Sequence, residues 1–72
     1  MERVAVHSRD IAIVGYDADK KTLEVAFRAG GVYRFSDVPS DIYQAFMTSD
    51  SYGRFFQQHI RGQFPYSKIH LN

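Results

Sequence analysis

The chain has 72 residues, 44% of them apolar, a net charge of +1 and no cysteine. That allows one domain with one small core, and excludes disulfides and thiolate metal sites. So small a net charge does not by itself imply a polyanion partner, and no apolar run approaches the ~20 residues of a membrane span.

The opening Met1-Glu2-Arg3-Val4 lacks the cationic start and apolar run of a secretory signal, so a cytoplasmic protein is expected. Val4-Ala5-Val6 is a short strand candidate, and His7 to Asp10 a polar turn. Ile11 to Tyr16 is β-rich and apolar on both alternations. It predicts a central strand, or one bent at Gly15, where a bulge would fit. Asp17 to Lys20 is a turn whose aspartates can accept from the backbone two residues on.

Thr22 to Arg28 alternates, with Leu23, Val25 and Phe27 on one face and Glu24, Ala26 and Arg28 on the other. Gly30-Gly31 signals a hairpin into Val32-Tyr33-Arg34-Phe35. A two-residue loop would put Arg34 opposite Phe27 and both aromatics on the wet side. A three-residue loop, Ala29-Gly30-Gly31, would set Phe27 against Tyr33 and Val25 against Phe35, with Gly31 left-handed. The three-residue loop is favoured because both strands then agree on the core side.

Near Pro39 the apolar period changes from about two to about 3.6. Asp37 or a neighbour could cap a first helix with Pro39 in its first turn, and Ile42, Tyr43, Phe46 and Met47 form its stripe. Thr48 to Ser51 interrupts it with capping residues. A second stripe, Tyr52, Phe55, Phe56, His59 and Ile60, ends at Gly62. The tail from Phe64 to Ile69 is apolar enough to pack back as an extended segment. The expected fold is a single α+β domain over residues 1–72. It has an antiparallel meander of three or four strands, then two short helices packed on one face.

Few residues suggest chemistry. His7, His59 and His70 match no metal-ligand spacing, so no metal is expected. Ser8 and His7 are mere neighbours, and no Gly-x-Ser-x-Gly is present. Asp10, Asp17 and Asp19 read as turn aspartates. Gly30-Gly31 lies between strands rather than before a helix, so it is no phosphate cradle. Neither an enzyme nor a cofactor is expected. What remains is a basic and aromatic surface. Arg28 and Arg34 would share the outward sheet face. Arg54, Arg61 and Lys68 would widen it from the more basic C-terminal part, with Tyr33 and Phe35 beneath or stacking.

Several stretches together resemble a known family: Ser8 to Asp17, Leu23 to Pro39, Ile42-Tyr43, Ser51 to Phe56, and Ile60 to Ile69. The chain is similar to the KTSC domain, named for its occurrence at the C-terminus of some lysyl-tRNA synthetases, and looks like its stand-alone bacterial form. The family's Tyr-x-Tyr falls on Tyr33-Arg34-Phe35, where the second hydroxyl is missing. Its Tyr-Phe-Asn reads Phe55-Phe56-Gln57. The resemblance implies a non-catalytic module and suggests RNA, tRNA above all, as partner. The alternative is a protein partner or a second copy of the chain.

Overall fold

The computed structural model describes residues 1–69. Five strands, β1 (Glu2–Ala5), β2 (Ile11–Asp17), β3 (Thr22–Phe27), β4 (Val32–Phe35) and β5 (Tyr66–Ile69), form one antiparallel meander in chain order. Between β4 and β5 run α1 (Ser40–Met47), α2 (Tyr52–Phe55) and a π-helical turn, Phe56–Ile60, that continues α2. This is the expected α+β fold with one more strand. The tail becomes β5 because the outer edge of β4 offers unpaired N–H and C=O groups that an extended segment can satisfy. His70, set aside above as a metal ligand, lies outside the described residues.

The hairpin between β3 and β4 closes over three residues. The Phe27 N–H donates to the Gly31 carbonyl and the Gly30 N–H donates to the Phe27 carbonyl, both at 3.0 Å. The loop is therefore Arg28-Ala29-Gly30, one residue earlier than expected. Val25 faces Tyr33 and Leu23 faces Phe35. A shift of two residues in register leaves every side chain on its expected face. Gly30 and Gly31, at φ 116° and 93°, both take the positive φ that this turn needs, Gly31 as expected.

The irregularity in β2 lies at Ala12, not at Gly15. Ile11 pairs with Phe27 while Ile13 pairs with Ala26, so one residue is extra. That extra residue turns Ile11 and Val14 to the same side, and both are fully buried while Ile13 is exposed. It accounts for a strand that looked apolar on both alternations.

The core lies between the sheet and the helices. Leu23, Val25 and Phe35 come from the sheet, Val38 from the connection, Phe46 from α1, and Phe56 and Ile60 from the π-helical turn. Tyr16 reaches across from β2 and stacks on Tyr43 of α1, ring centroids 4.4 Å apart. Its hydroxyl donates to the Val38 carbonyl at 2.6 Å. Asp37 does not cap α1. It adopts φ 62°, turning the chain out of β4, and Pro39 occupies the cap position, its carbonyl accepting from Ile42 and Tyr43. Ser51 caps α2 as expected, accepting from the Arg54 N–H.

On the face away from the helices, Arg3, Gly15, Glu24 and Arg34 lie in one cross-strand row. Glu24 is buried and accepts from Arg3 Nε at 2.8 Å and from Arg34 at 2.9 Å. Arg3 must pass over β2 to reach β3, and Gly15 leaves the space. A Cβ there would sit 2.8 Å from Met1 Sδ and 3.2 Å from Arg3 Cγ. The hydrogen bond from Arg3 holds the Glu24 carboxyl below its usual range against the opposing effect of burial, with Arg34 adding to the lowering.

Because the folded-state value is lowered, this stabilisation is present above the unfolded carboxylate pKa of about 4.3. It is lost as pH falls through the lower folded value. Glu24→Gln is therefore expected to lower the melting temperature at neutral pH, with the gap to wild type closing as the pH drops below about 4. Thermal unfolding across that range checks this; a gap independent of pH would contradict it.

Candidate functional site

Helices cover the inner sheet face only partly. Toward β4 and β5 a half-open groove of about 690 Å³ remains. Its floor is aromatic. Tyr33 and Phe35 alternate along β4 and so share the inner face, and β5 sets Tyr66 opposite Phe35 and Lys68 opposite Tyr33. Phe27 enters from the end of β3 and Phe56 from the π-helical turn. Phe56 meets Phe27 and Phe35 edge-to-face at 5.2 and 5.5 Å, and Phe27 meets Tyr33 the same way at 5.6 Å. Such contacts lock the rings in place.

The rings divide by exposure. Phe35 and Phe56 are buried, Phe27 and Tyr33 half-buried, and Tyr66 is 61% exposed. Tyr66 is thus the open ring, and half-buried Tyr33 lies 5.8 Å from it, tilted by 56°. Lys68 Nζ stands 6.0 Å from the Tyr33 ring centre. Arg61 and Gln57, hydrogen-bonded at 3.0 Å, stand on the helical wall, and Arg9 and Asp10 on the opposite rim.

That rim is built by Arg28. Its Nε donates to the Ser8 carbonyl at 2.6 Å and its terminal nitrogen to the Val6 carbonyl at 2.9 Å. Its backbone N–H donates to the Asp10 carbonyl at 2.9 Å. The Ser8 hydroxyl accepts from the Asp10 and Ile11 N–H groups. The β1–β2 loop that carries Arg9 is therefore tied to the end of β3.

The sequence-predicted residues separate accordingly. Tyr33, Phe35 and Arg61 line the groove, and Lys68 joins them through Tyr33. Arg34 is on the other face of the sheet, held by Glu24. Arg28 is bound to carbonyls of the β1–β2 loop. The two arginines do not share one free outward surface, because each has a structural acceptor within reach. Arg54 lines an adjoining polar cleft of about 480 Å³ with His7, Ser8 and Asp50. Arg9, Phe27, Phe56, Gln57 and Tyr66 of the groove were not foreseen as site residues. Phe27 could have been found from its shared face with Tyr33, whereas Tyr66 depends on the pairing of β5, which no local pattern announces.

The fold and groove define a class: a small sheet-and-helix domain with an aromatic trough beside its helices. The chain belongs to the KTSC domain family, whose model matches residues 7–64. It is 41% identical over 63 residues to an uncharacterised protein of Stutzerimonas stutzeri, covering 88% of this chain and 89% of that one. It is 30% identical over 54 residues to a lysine–tRNA ligase of Nostoc, covering 75% of this chain but 10% of the ligase. Among solved structures, the crystal structure of a KTSC domain protein from Yersinia pestis matches with a TM-score of 0.93 at 42% identity. That match covers 96% of this chain and 97% of that one.

Floor and rim should behave differently on truncation. Phe56→Ala is expected to cost about 3–5 kcal/mol, enough to unfold much of so small a domain. Tyr66→Ala should cost less than about 1 kcal/mol. Urea denaturation of the two variants measures both; equal losses would show that Tyr66 belongs to the core.

Proposed function

We propose that the domain is a non-catalytic module that binds single-stranded RNA in the aromatic groove. The observation that carries this reading is the joining of tyrosine rings with cations in one trough: Tyr33 and Tyr66 beside Lys68, Arg61 and Arg9. Bases stack on tyrosine whatever their identity, and arginine and lysine hold the phosphates between them. The ring tilt makes a splayed single strand the fit, since a duplex keeps its bases stacked on one another. The likeness to part of a lysine–tRNA ligase supports RNA as the polymer, and we take the setting to be cytoplasmic. No helix of the described residues is long and apolar enough to cross a membrane.

Fluorescence anisotropy with labelled single-stranded RNA tests the reading. Binding is expected to weaken with salt, and Tyr66→Ala to weaken it by about 1–3 kcal/mol. Lys20→Gln, in the β2–β3 turn at the far end of the strands, should leave it unchanged. Absence of salt-dependent binding to RNA oligonucleotides and to tRNA would sink the proposal.

One observation favours a second reading, docking of a protein or a second copy. On the open sheet face, Ala5, Ile13, Ala26, Val32 and Ile69 are successive cross-strand partners, an apolar row spanning all five strands. A pull-down from lysate with and without nuclease separates the readings. A partner retained after nuclease treatment, and lost with Ile13→Asp, would favour the sheet face over the groove.

A further inference from the structure

The nine cations of the chain fall into groups that no sequence pattern reveals. Arg3 and Arg34 hold Glu24, and Arg28 holds loop carbonyls. Lys20 and Lys21 lie in the β2–β3 turn. The remaining four, Lys68, Arg61, Arg9 and Arg54, stand along the aromatic groove and the polar cleft beside it. Among the described residues, none of these four is ion-paired; Arg61 has one neutral hydrogen bond, to Gln57. The groove and the cleft share two lining residues, Arg9 and Asp10, so they adjoin at the β1–β2 loop.

We infer that groove and cleft form one track for a single strand, with Arg9 at the junction and Arg54 as its far anchor. This rests on the reading of the groove given above and extends it to a direction and a length. A strand stacked on Tyr66 and Tyr33 places its phosphates beside Lys68 and Arg61. To continue, it crosses the rim at Arg9 and enters a more polar cleft, in which Tyr52 is the one ring of tyrosine or phenylalanine. There most of the lining is hydrogen-bonding groups, Ser8, Asp10, Asp50 and Ser51 among them, beside Arg54. The two carboxylates repel phosphate, so the backbone must run on the Arg9–Arg54 side. Sugar hydroxyls and base amines then face the aspartates, which as carboxylates only accept hydrogen bonds. Both clefts lie on a body 29 × 26 × 23 Å across, so the track holds a strand at the short end of the range of about 4–16 nucleotides known for single-strand modules.

The arrangement separates the cations by strand length. Arg61 meets any oligonucleotide that occupies the groove, and Arg54 meets only one long enough to cross Arg9. Anisotropy titrations with labelled RNA of about three and about eight nucleotides therefore test it on the whole protein. Arg61→Gln is expected to weaken both lengths. Arg54→Gln should weaken the longer RNA by roughly fivefold, lower its salt slope by about 0.7 as one phosphate contact is lost, and leave the shorter one unchanged. Arg54→Lys should restore most of the loss.

Equal weakening of both lengths by Arg54→Gln would overturn the track, since Arg54 would then act only through the general field. No effect at either length would overturn it as well, leaving binding confined to the groove. Failure of wild type to bind either RNA would instead overturn the underlying reading of the groove.

Discussion

Closure of the β3–β4 hairpin over Arg28-Ala29-Gly30 is the constraint from which the rest of the domain follows. A strand's side chains alternate, so the parity of this one loop decides which residues of two central strands are dry. With three residues in the loop, Leu23, Val25 and Phe35 meet the helices. Glu24 and Arg34 meet each other on the opposite face. A two-residue loop would put Arg34 into the core side and Tyr33 and Phe35 into water. Neither the charge row nor the aromatic groove would then exist.

The same register determines how charge is used. Glu24 is buried on a face without helices, where an unpaired carboxylate would be costly. Two arginines resolve this from opposite sides, and one of them reaches its partner only because Gly15 has no side chain. A third, Arg28, satisfies carbonyls of the β1–β2 loop and thereby sets the rim that carries Arg9. Cations engaged in this way are poor candidates for phosphate. Among the described residues, binding capacity falls to cations without such acceptors, and apart from Lys20 and Lys21 in the β2–β3 turn these stand along the groove and the cleft.

Much of the fold was legible in the residues. Thr22 to Phe27 alternates without exception, the glycine pair marks the hairpin, and the change of period near Pro39 marks the passage from sheet to helices. Ser51 as a cap follows from local chemistry and is found as such, whereas the helix ends on extended Arg61 and Gly62, at φ 77°, lies in the turn that follows. Less was legible where a residue's role depends on a distant partner. The bulge at Ala12 depends on β3, and Gly15, a natural site for a bend, instead makes way for Arg3. Asp37, a plausible cap, takes a left-handed turn because the chain must leave β4 at that point. For the site, Tyr33, Phe35, Arg61 and Lys68 were named from composition and converge. Arg28 and Arg34 were named for the same reason and do not, since a side chain's type says nothing about whether an acceptor stands beside it.

Local pattern in the residues suffices for the class of fold, the three-residue loop and the side of the sheet that each central side chain takes. All three depend on neighbours a few residues apart, through strand alternation, helical period and turn geometry. Long-range contacts alone make the tail β5, set Tyr66 opposite Phe35, and bring Arg9, Arg61 and Arg54 to the adjoining groove and cleft with Lys68 beside Tyr33. Those outcomes depend on pairings across twenty or more residues, where the free hydrogen bonds of one strand edge and the reach of one arginine select the partner, and local pattern carries no record of either.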